Sequence, residues 1–298
     1  MSSVPTIFDR QKIATHRRRA SGHFDEYDFL YTEVAQRLVD RLRDFNRRFE
    51  RILIIGALGG EVVRILEHEF GYARECIVSL DMSSLSGVDV IGDEEYLPFQ
   101  SQSFDCVLSN LTLPFVNDFP GVLAQIQMCL KPDGVFLSSI FGTLTLHELR
   151  TSLMQAEIAL LGGASNRIAP FIDIVDATAL MQRAKFALPV VDQDLISVSY
   201  PDMKRLLKDI KGMGLSDPLH KSDRMMFSRD LFDQAGQIYK DSFPDPKAED
   251  RIHASFEILY LTGWRPHESQ QQPLRPGTAD HRLADALKST ETVFADHK

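Results

Sequence analysis

The sequence predicts a doubly wound α/β fold built on a seven-stranded, mostly parallel sheet, with a helical insert before the last strand. Three observations carry this. An Ile-rich run, Arg51 to Ile55, stops at the glycine cluster Gly56-Ala57-Leu58-Gly59-Gly60, and an amphipathic stretch begins at once at Glu61. Short apolar runs then alternate with helix-period segments as far as Ile140, the pattern of parallel strands joined by crossover helices. Further on, two helical segments stand between β-rich runs around Val190–Val198 and Arg251–Trp264.

Taken in order, residues 1–23 are polar and basic, with Arg10, Lys12, Arg17, Arg18 and Arg19 close together, and read as a solvated N-terminal arm. An Arg-rich, acid-poor start is also the composition of an organelle-targeting segment, against which Asp9 and the shortness of the run argue. Leu30, Val34, Leu38 and Leu42 recur every four residues and predict an amphipathic helix over 26–45. After the opening strand-turn-helix, strands are expected at 75–80, 88–91, 103–110 and 135–140. A helix is expected at 118–130, with Asp118 as its N-cap and Lys131-Pro132-Asp133-Gly134 as a tight turn. Helices follow at 145–161 and 173–184, short strands at 190–191 and 195–198, and the insert at about 201–250, bounded by Pro201 and by Pro244 and Pro246. Met203, Met213, Met225 and Met226 in and around it suit gap-filling core. The last strand runs 251–264, so the main domain spans 24–264 and a polar, Pro-containing tail 265–298.

Composition narrows the function. The 298 residues suffice for one large α/β domain with an elaboration, or for two small domains, and 44% hydrophobic with 25% charged residues is ordinary for a globular protein. No apolar run approaches the ~20 residues that span a bilayer. Acidic residues outnumber basic ones 42 to 33, which gives a general nucleic-acid role no electrostatic support. Cys76, Cys106 and Cys129 are scattered without a C-x-x-C pair and read as reduced core residues of an intracellular protein. No H-E-x-x-H or two-His-one-carboxylate spacing predicts a metal site.

The chemistry concentrates at the glycine turn. A strand that bends tightly into a helix leaves backbone N–H groups facing the crook, where nucleotide-like ligands of open α/β sheets bind. The turn lacks a dinucleotide fingerprint and a phosphate-cradling Lys-Ser/Thr, so tight packing competes evenly with ligand binding there. Asp81 closes the second strand, 25 residues past Gly56, and suits the hydroxyls of a ribose; capping of the Ser-rich turn that follows is the alternative. Glu94 and Glu95 suit a guanidinium, or else a solvated loop. His147-Glu148 and Trp264 read as structural.

The same order of features resembles the class I S-adenosylmethionine-dependent methyltransferases. Phe8-Asp9-Arg10, Gly92-Asp93-Glu94-Glu95-Tyr96-Leu97-Pro98-Phe99, Val116-Asn117-Asp118, Phe141-Gly142, Thr145 to Arg150, Gly263-Trp264, His267-Glu268-Ser269-Gln270 and Arg275-Pro276-Gly277 are similar to the assembly factor 5 family of respiratory complex I. The resemblance runs over nearly the whole chain and is most distinctive in the C-terminal Gly-Trp…His-Glu-Ser-Gln segment. It implies an S-adenosylmethionine-binding fold, cytosolic or on the mitochondrial matrix side, acting on an arginine of the complex I iron–sulfur subunit by hydroxylation or methylation. By position it places Gly56 and Gly60 against the methionine part, Asp81 on the ribose and Asp93 on the adenine amino group; it assigns no catalytic residue. The chain departs from the family at Ile54, Leu58, Pro114-Phe115 and Leu144, where an acid, a glycine, a His-Trp pair and an aspartate are usual. A scaffold that retains the fold without catalysis is the alternative these departures leave open.

Overall fold

The computed structural model describes residues 5–83, 87–220 and 228–270. Among the described residues, those through Pro266 form one compact unit. The expectations for Met225, Met226, Arg275-Pro276-Gly277 and the tail from 271 lie outside the described residues.

The sheet has the order β3-β2-β1-β4-β5-β7-β6. Strands β1 (Ile52–Ile55), β2 (Ile77–Asp81), β3 (Val90–Ile91), β4 (Phe104–Asn110) and β5 (Leu130–Phe141) are parallel. Strand β7 (Ile252–Trp264) runs antiparallel to β5 and to β6 (Ala187–Tyr200). The two short strands expected near 190 and 195 are one continuous strand with an irregularity between Ala187 and Val190, because pairing to β7 carries the backbone across Asp192-Gln193-Asp194. The Lys131-Pro132-Asp133-Gly134 turn is likewise absorbed into the start of β5, with Asp133 at φ +61° taking up the bend.

Both faces of the sheet are covered, and β1 shows how. Ile52 and Ile54 join one apolar core, Leu53 and Ile55 the other, since successive side chains leave a strand on opposite faces. The first core gathers α1 (Arg10–Ala20), α2 (Phe29–Asp40), α3 (Glu61–His68), α5 (His147–Leu161), α7 (Met203–Gly212) and α8 (Arg229–Ser242). The second gathers α4 (Phe119–Cys129) and α6 (Ile174–Arg183). Helix starts follow their caps: Asp118 accepts from the Gly121 N–H at 2.9 Å, and Asp202 and Ser228 cap the two insert helices. Met203 and Met213 are core residues, and Trp264 packs edge-on against Phe45, 4.9 Å between centroids. Cys106 and Cys129 are buried and Cys76 partly so; burial pushes the first two thiols up, further from thiolate.

One reading of the N-terminal segment is overturned. Residues 10–20 are not a solvated arm but helix α1, capped by Asp9 and packed through Ile13, Arg17 and Ala20. Their spacing of three and four residues puts them on one face.

His147-Glu148 is a structural pair, as expected. Glu148 is fully buried and accepts from Ser255 Oγ at 2.5 Å and the Ser255 N–H at 3.2 Å, with His253 Nε2 at 3.3 Å, so it staples α5 to β7. Glu148→Ala leaves those donors without an acceptor and is expected to lower stability by about 2–3 kcal/mol, read from urea unfolding.

Candidate functional site

The site forms where β1, β2, β3 and β4 end. Gly56 sits at φ +78° and donates its N–H to the Leu80 carbonyl at 2.8 Å; a Cβ there would fall 1.9 Å from Thr112 Oγ1. Close packing of β1 against the β4 turn therefore accounts for this glycine. Gly60, at φ +68° and just before α3, faces open space instead. The two readings of the turn thus divide between its two ends: packing at Gly56, an open cradle at Gly60. Ile54 is a core residue of β1, and Leu58, 7% exposed, belongs to the same apolar cluster.

Asp81 is fully buried at the tip of β2. Its Oδ1 accepts from the Ser83 N–H at 2.9 Å and Ser83 Oγ at 2.6 Å, while its Oδ2 has no hydrogen-bond partner. The turn-capping reading holds for Oδ1, while Oδ2 is left without a hydrogen bond, with only Arg17 Nη1 near it at 3.6 Å.

Asp93 and Glu94 follow β3. Arg10 Nη2 donates to Asp93 Oδ1 at 2.7 Å and also to Glu94, and Arg10 Nη1 donates to the Phe115 carbonyl at 2.9 Å. Arg17 Nη1 donates to Glu94 Oε1 at 2.5 Å and stands 3.6 Å from Asp81 Oδ2. Glu94 is completely buried, not a solvated loop residue. It binds guanidinium groups, and those groups belong to the chain itself. Burial opposes the charge on Arg17, but Glu94 and Asp81 outweigh it and hold its pKa above the ordinary value. Glu95 accepts from the Asn117 N–H and stands 3.9 Å from Arg10 Nε, the longest of that guanidinium's ion pairs.

Two further residues complete the floor, and sequence reasoning passed over both. Glu61, the first residue of α3, is 2% exposed; its Oε1 accepts from Asn110 Nδ2 at 3.0 Å and its Oε2 has no partner. Asn110 ends β4, donates also to the Tyr31 carbonyl at 3.0 Å, and is held by Ser139 Oγ at 2.8 Å. Burial raises the Glu61 pKa, against the Asn110 hydrogen bond. Burial also raises the Tyr31 phenol, with Glu61 and Asp81 acting in the same direction against Arg17. The available signals were positional: a carboxylate directly after a glycine turn, and a polar residue at the carboxyl end of a buried strand.

The site therefore brings together Asp81, Asp93, Glu94 and Glu61 against two guanidiniums, an excess of two carboxylates over cations. Two of its buried carboxylate oxygens lack donors. That donor set fits a ligand with hydroxyls and a net positive charge, which S-adenosylmethionine has, with a sulfonium and an ammonium against one carboxylate. Among the described residues, no group of three His, Cys, Asp or Glu is arranged to hold a metal ion.

Fold and site together define a protein of the class I methyltransferase type. A methyltransferase-domain family profile matches residues 53–138. A solved phosphoethanolamine N-methyltransferase of Haemonchus contortus, bound to S-adenosylmethionine, superposes with a TM-score of 0.50 at 15% identity, covering 86% of this chain and 60% of that one. Within that class the chain belongs to the arginine-hydroxylase NDUFAF5 family. It is 36% identical to the mitochondrial Danio rerio member, over 95% of this chain and 90% of the relative, and 36% identical to the Homo sapiens member, over 92% and 81%.

Arg17→Met removes the cation that Glu94 and Asp81 share, leaving Glu94 with Arg10 alone and Asp81 with Ser83 alone, and is expected to lower stability by about 3 kcal/mol, seen as an earlier denaturant midpoint. Glu61→Gln is expected to behave in the opposite way. A carboxyl whose folded pKa lies above its unfolded value of about 4.3 favours folding in its protonated form, and that contribution fades as pH rises. The variant, which keeps an acceptor for Asn110, should match the parent near pH 4 and gain on it steadily towards pH 8 in thermal unfolding.

Proposed function

We propose that this chain binds S-adenosylmethionine in the glycine crook and modifies an arginine side chain of a protein, the iron–sulfur subunit of respiratory complex I, during assembly of that complex. The observation that carries the cofactor reading is the pair of donorless buried oxygens, Asp81 Oδ2 and Glu61 Oε2. Asp81 would accept a ribose hydroxyl. Glu61 would accept the ammonium of the methionine part, taking over from the acid that Ile54 displaces. Gly60 gives the backbone room to approach that part of the ligand, as the Gly56 backbone would from the other end of the turn. Asp93 would meet the adenine amino group once Arg10 releases it. S-adenosylmethionine supplies an activated methyl group when bound. The arginine reading is supported by the NDUFAF5 relatives, which are named arginine-hydroxylases and are mitochondrial. The chain would act where complex I is assembled, in the cytoplasm of a bacterium or on the matrix side of a mitochondrion.

One observation favours a second reading, a non-catalytic assembly scaffold on the same fold. Arg10 and Arg17 already neutralise Asp93 and Glu94, so the site is closed by the chain's own cations. Mass spectrometry of an arginine-bearing iron–sulfur-subunit peptide, incubated with the chain, S-adenosylmethionine, dioxygen and a two-electron reductant, separates the readings. A gain of one oxygen or one methyl on arginine supports the enzyme; an unchanged peptide beside normal cofactor binding supports the scaffold. Loss of the gene with complex I fully assembled on a native gel would remove the assembly role.

S-adenosylmethionine at a hundredfold excess over its dissociation constant should stabilise the native chain by about 2.7 kcal/mol in a thermal-shift titration. Asp81→Asn and Glu61→Gln should each weaken binding about tenfold or more, the loss expected for one charge-assisted hydrogen bond. Glu61→Gln should do so while raising the melting temperature of the free protein. No shift with either S-adenosylmethionine or S-adenosylhomocysteine would sink the cofactor reading.

A further inference from the structure

Helix α1 turns Arg10 and Arg17 towards the carboxylates, and another part of its surface walls a hollow of opposite character. His16 and Arg19, with His23 from the turn that follows, face Lys208 and Lys211 of α7 across a cavity of about 360 Å³. In a chain of net charge −9, no carboxylate lines this cavity among the described residues. Arg19 and Lys211 have no ion pair among the described residues, and Lys208 rests 5.9 Å over the Tyr27 ring. His23 meets Glu26 at 3.8 Å, an exposed pair. His16 Nδ1 is buried without a partner. Three cations, Arg19, Lys208 and Lys211, stand here with two imidazoles, of which His16 is held below its ordinary pKa by burial and faces Asp217 from the next chamber; the set is arranged for an anion with several acceptor oxygens.

The adjoining chamber is apolar. It measures about 370 Å³ and is walled by Phe115, Phe141, Phe171 and Phe256 with Leu149 and Leu153. Its other charged lining residues are spoken for: Arg167 is 2.6 Å from Glu157, and Asp217 is 4.0 Å from Lys12. Lys211 and Ser216 line both chambers, so an anion seated among the lysines lies at the threshold of the aromatic one. An apolar chamber of this size holds water poorly and is within the range that small-molecule ligands fill.

We propose that the two chambers form one binding site for a phosphate-headed amphiphile, its phosphate among His16, Arg19, Lys208 and Lys211 and its single apolar tail among the phenylalanines. Neither half alone selects such a molecule. The basic half supplies charge and the aromatic half supplies burial of the tail in proportion to its length. The site adjoins the carboxylate cluster at Phe115, whose carbonyl Arg10 holds, but uses none of its acids, and its occupancy needs neither cofactor nor catalysis.

The test is calorimetry on the full chain without S-adenosylmethionine, using monomeric oleoyl lysophosphatidic acid below its micellar concentration as the probe. Binding in the micromolar range is expected. Lys208→Glu/Lys211→Glu, at two exposed positions that leave the fold intact, should weaken it at least tenfold. Ala169→Trp, which fills the aromatic chamber, should weaken it as much, while circular dichroism and melting temperature identify any variant that unfolds. Failure of the probe to bind at 100 micromolar, or parent-like affinity in both folded variants, overturns the proposal. Glycerol 3-phosphate binding as tightly as the lysolipid would also overturn it, leaving a site for a free anion only. Capture on phosphatidylglycerol vesicles without binding of the monomer would replace it with a membrane-contact surface.

Discussion

The structure turns on the burial of negative charge at the carboxyl ends of four strands. Glu94, Asp81 and Glu61 are withdrawn from water, and isolated carboxylates at such depth are untenable without compensation. Arg17 supplies it from two turns along α1, bonding to Glu94 and approaching Asp81, while Arg10 ties Asp93, Glu94 and the Phe115 carbonyl together. The N-terminal helix is thereby part of the domain, because removing it would expose the sheet end and leave the acids unpaired. A buried ion network is weak evidence of net stability but strong evidence of a fixed arrangement, since breaking one partner costs more than the network gains.

The alternation of Ile-rich and helix-period segments carried the architecture, because a parallel sheet covered on both faces must present continuous apolar runs. Asp118 was legible as a cap from the local sequence as well. Elements whose extent depends on a partner strand were not. The long hairpin of β6 and β7 is one ladder from Ala187 to Tyr200, although Asp192-Gln193-Asp194 reads as an interruption along the chain. At the site, Asp81 was legible and its division of labour between two oxygens was not, because that depends on where Ser83 folds back. Glu61 has no local signature, since a carboxylate after a glycine turn is ordinarily solvated and its burial comes from Asn110, Tyr31 and Phe24 closing over it.

The misreading of residues 1–23 has a specific cause. Five basic residues in a short run look like a solvated arm when charge alone is counted. Positions 10, 13, 17 and 20 alternate arginine with apolar residues at a spacing that places all four on one helical stripe. An arginine on the apolar stripe of a helix implies an acid waiting in the core, and the Gly-Asp-Glu-Glu segment and Asp81 supply it. Periodicity applied to charges as well as to leucines would have joined the two.

The same geometry limits how a ligand can enter. Arg17 holds Glu94 at 2.5 Å with its side chain 6% exposed, whereas Arg10 and Asp93 are 13% and 31% exposed. An ion pair nearer solvent is screened and cheaper to open, so the N-terminal end of α1 yields before its middle does. Asp81 Oδ2 can accept a hydroxyl with Arg17 still bound to Glu94, because that oxygen has no hydrogen bond to give up. Asp93 has Arg10 against both of its oxygens and the Glu95 N–H on Oδ1 at 2.9 Å, so a ligand's donor meets competition from an internal cation there. A ligand that engages both acids therefore competes with Arg10 and can leave Arg17 in place. The excess of carboxylates over cations at the site favours a ligand that brings positive charge with it.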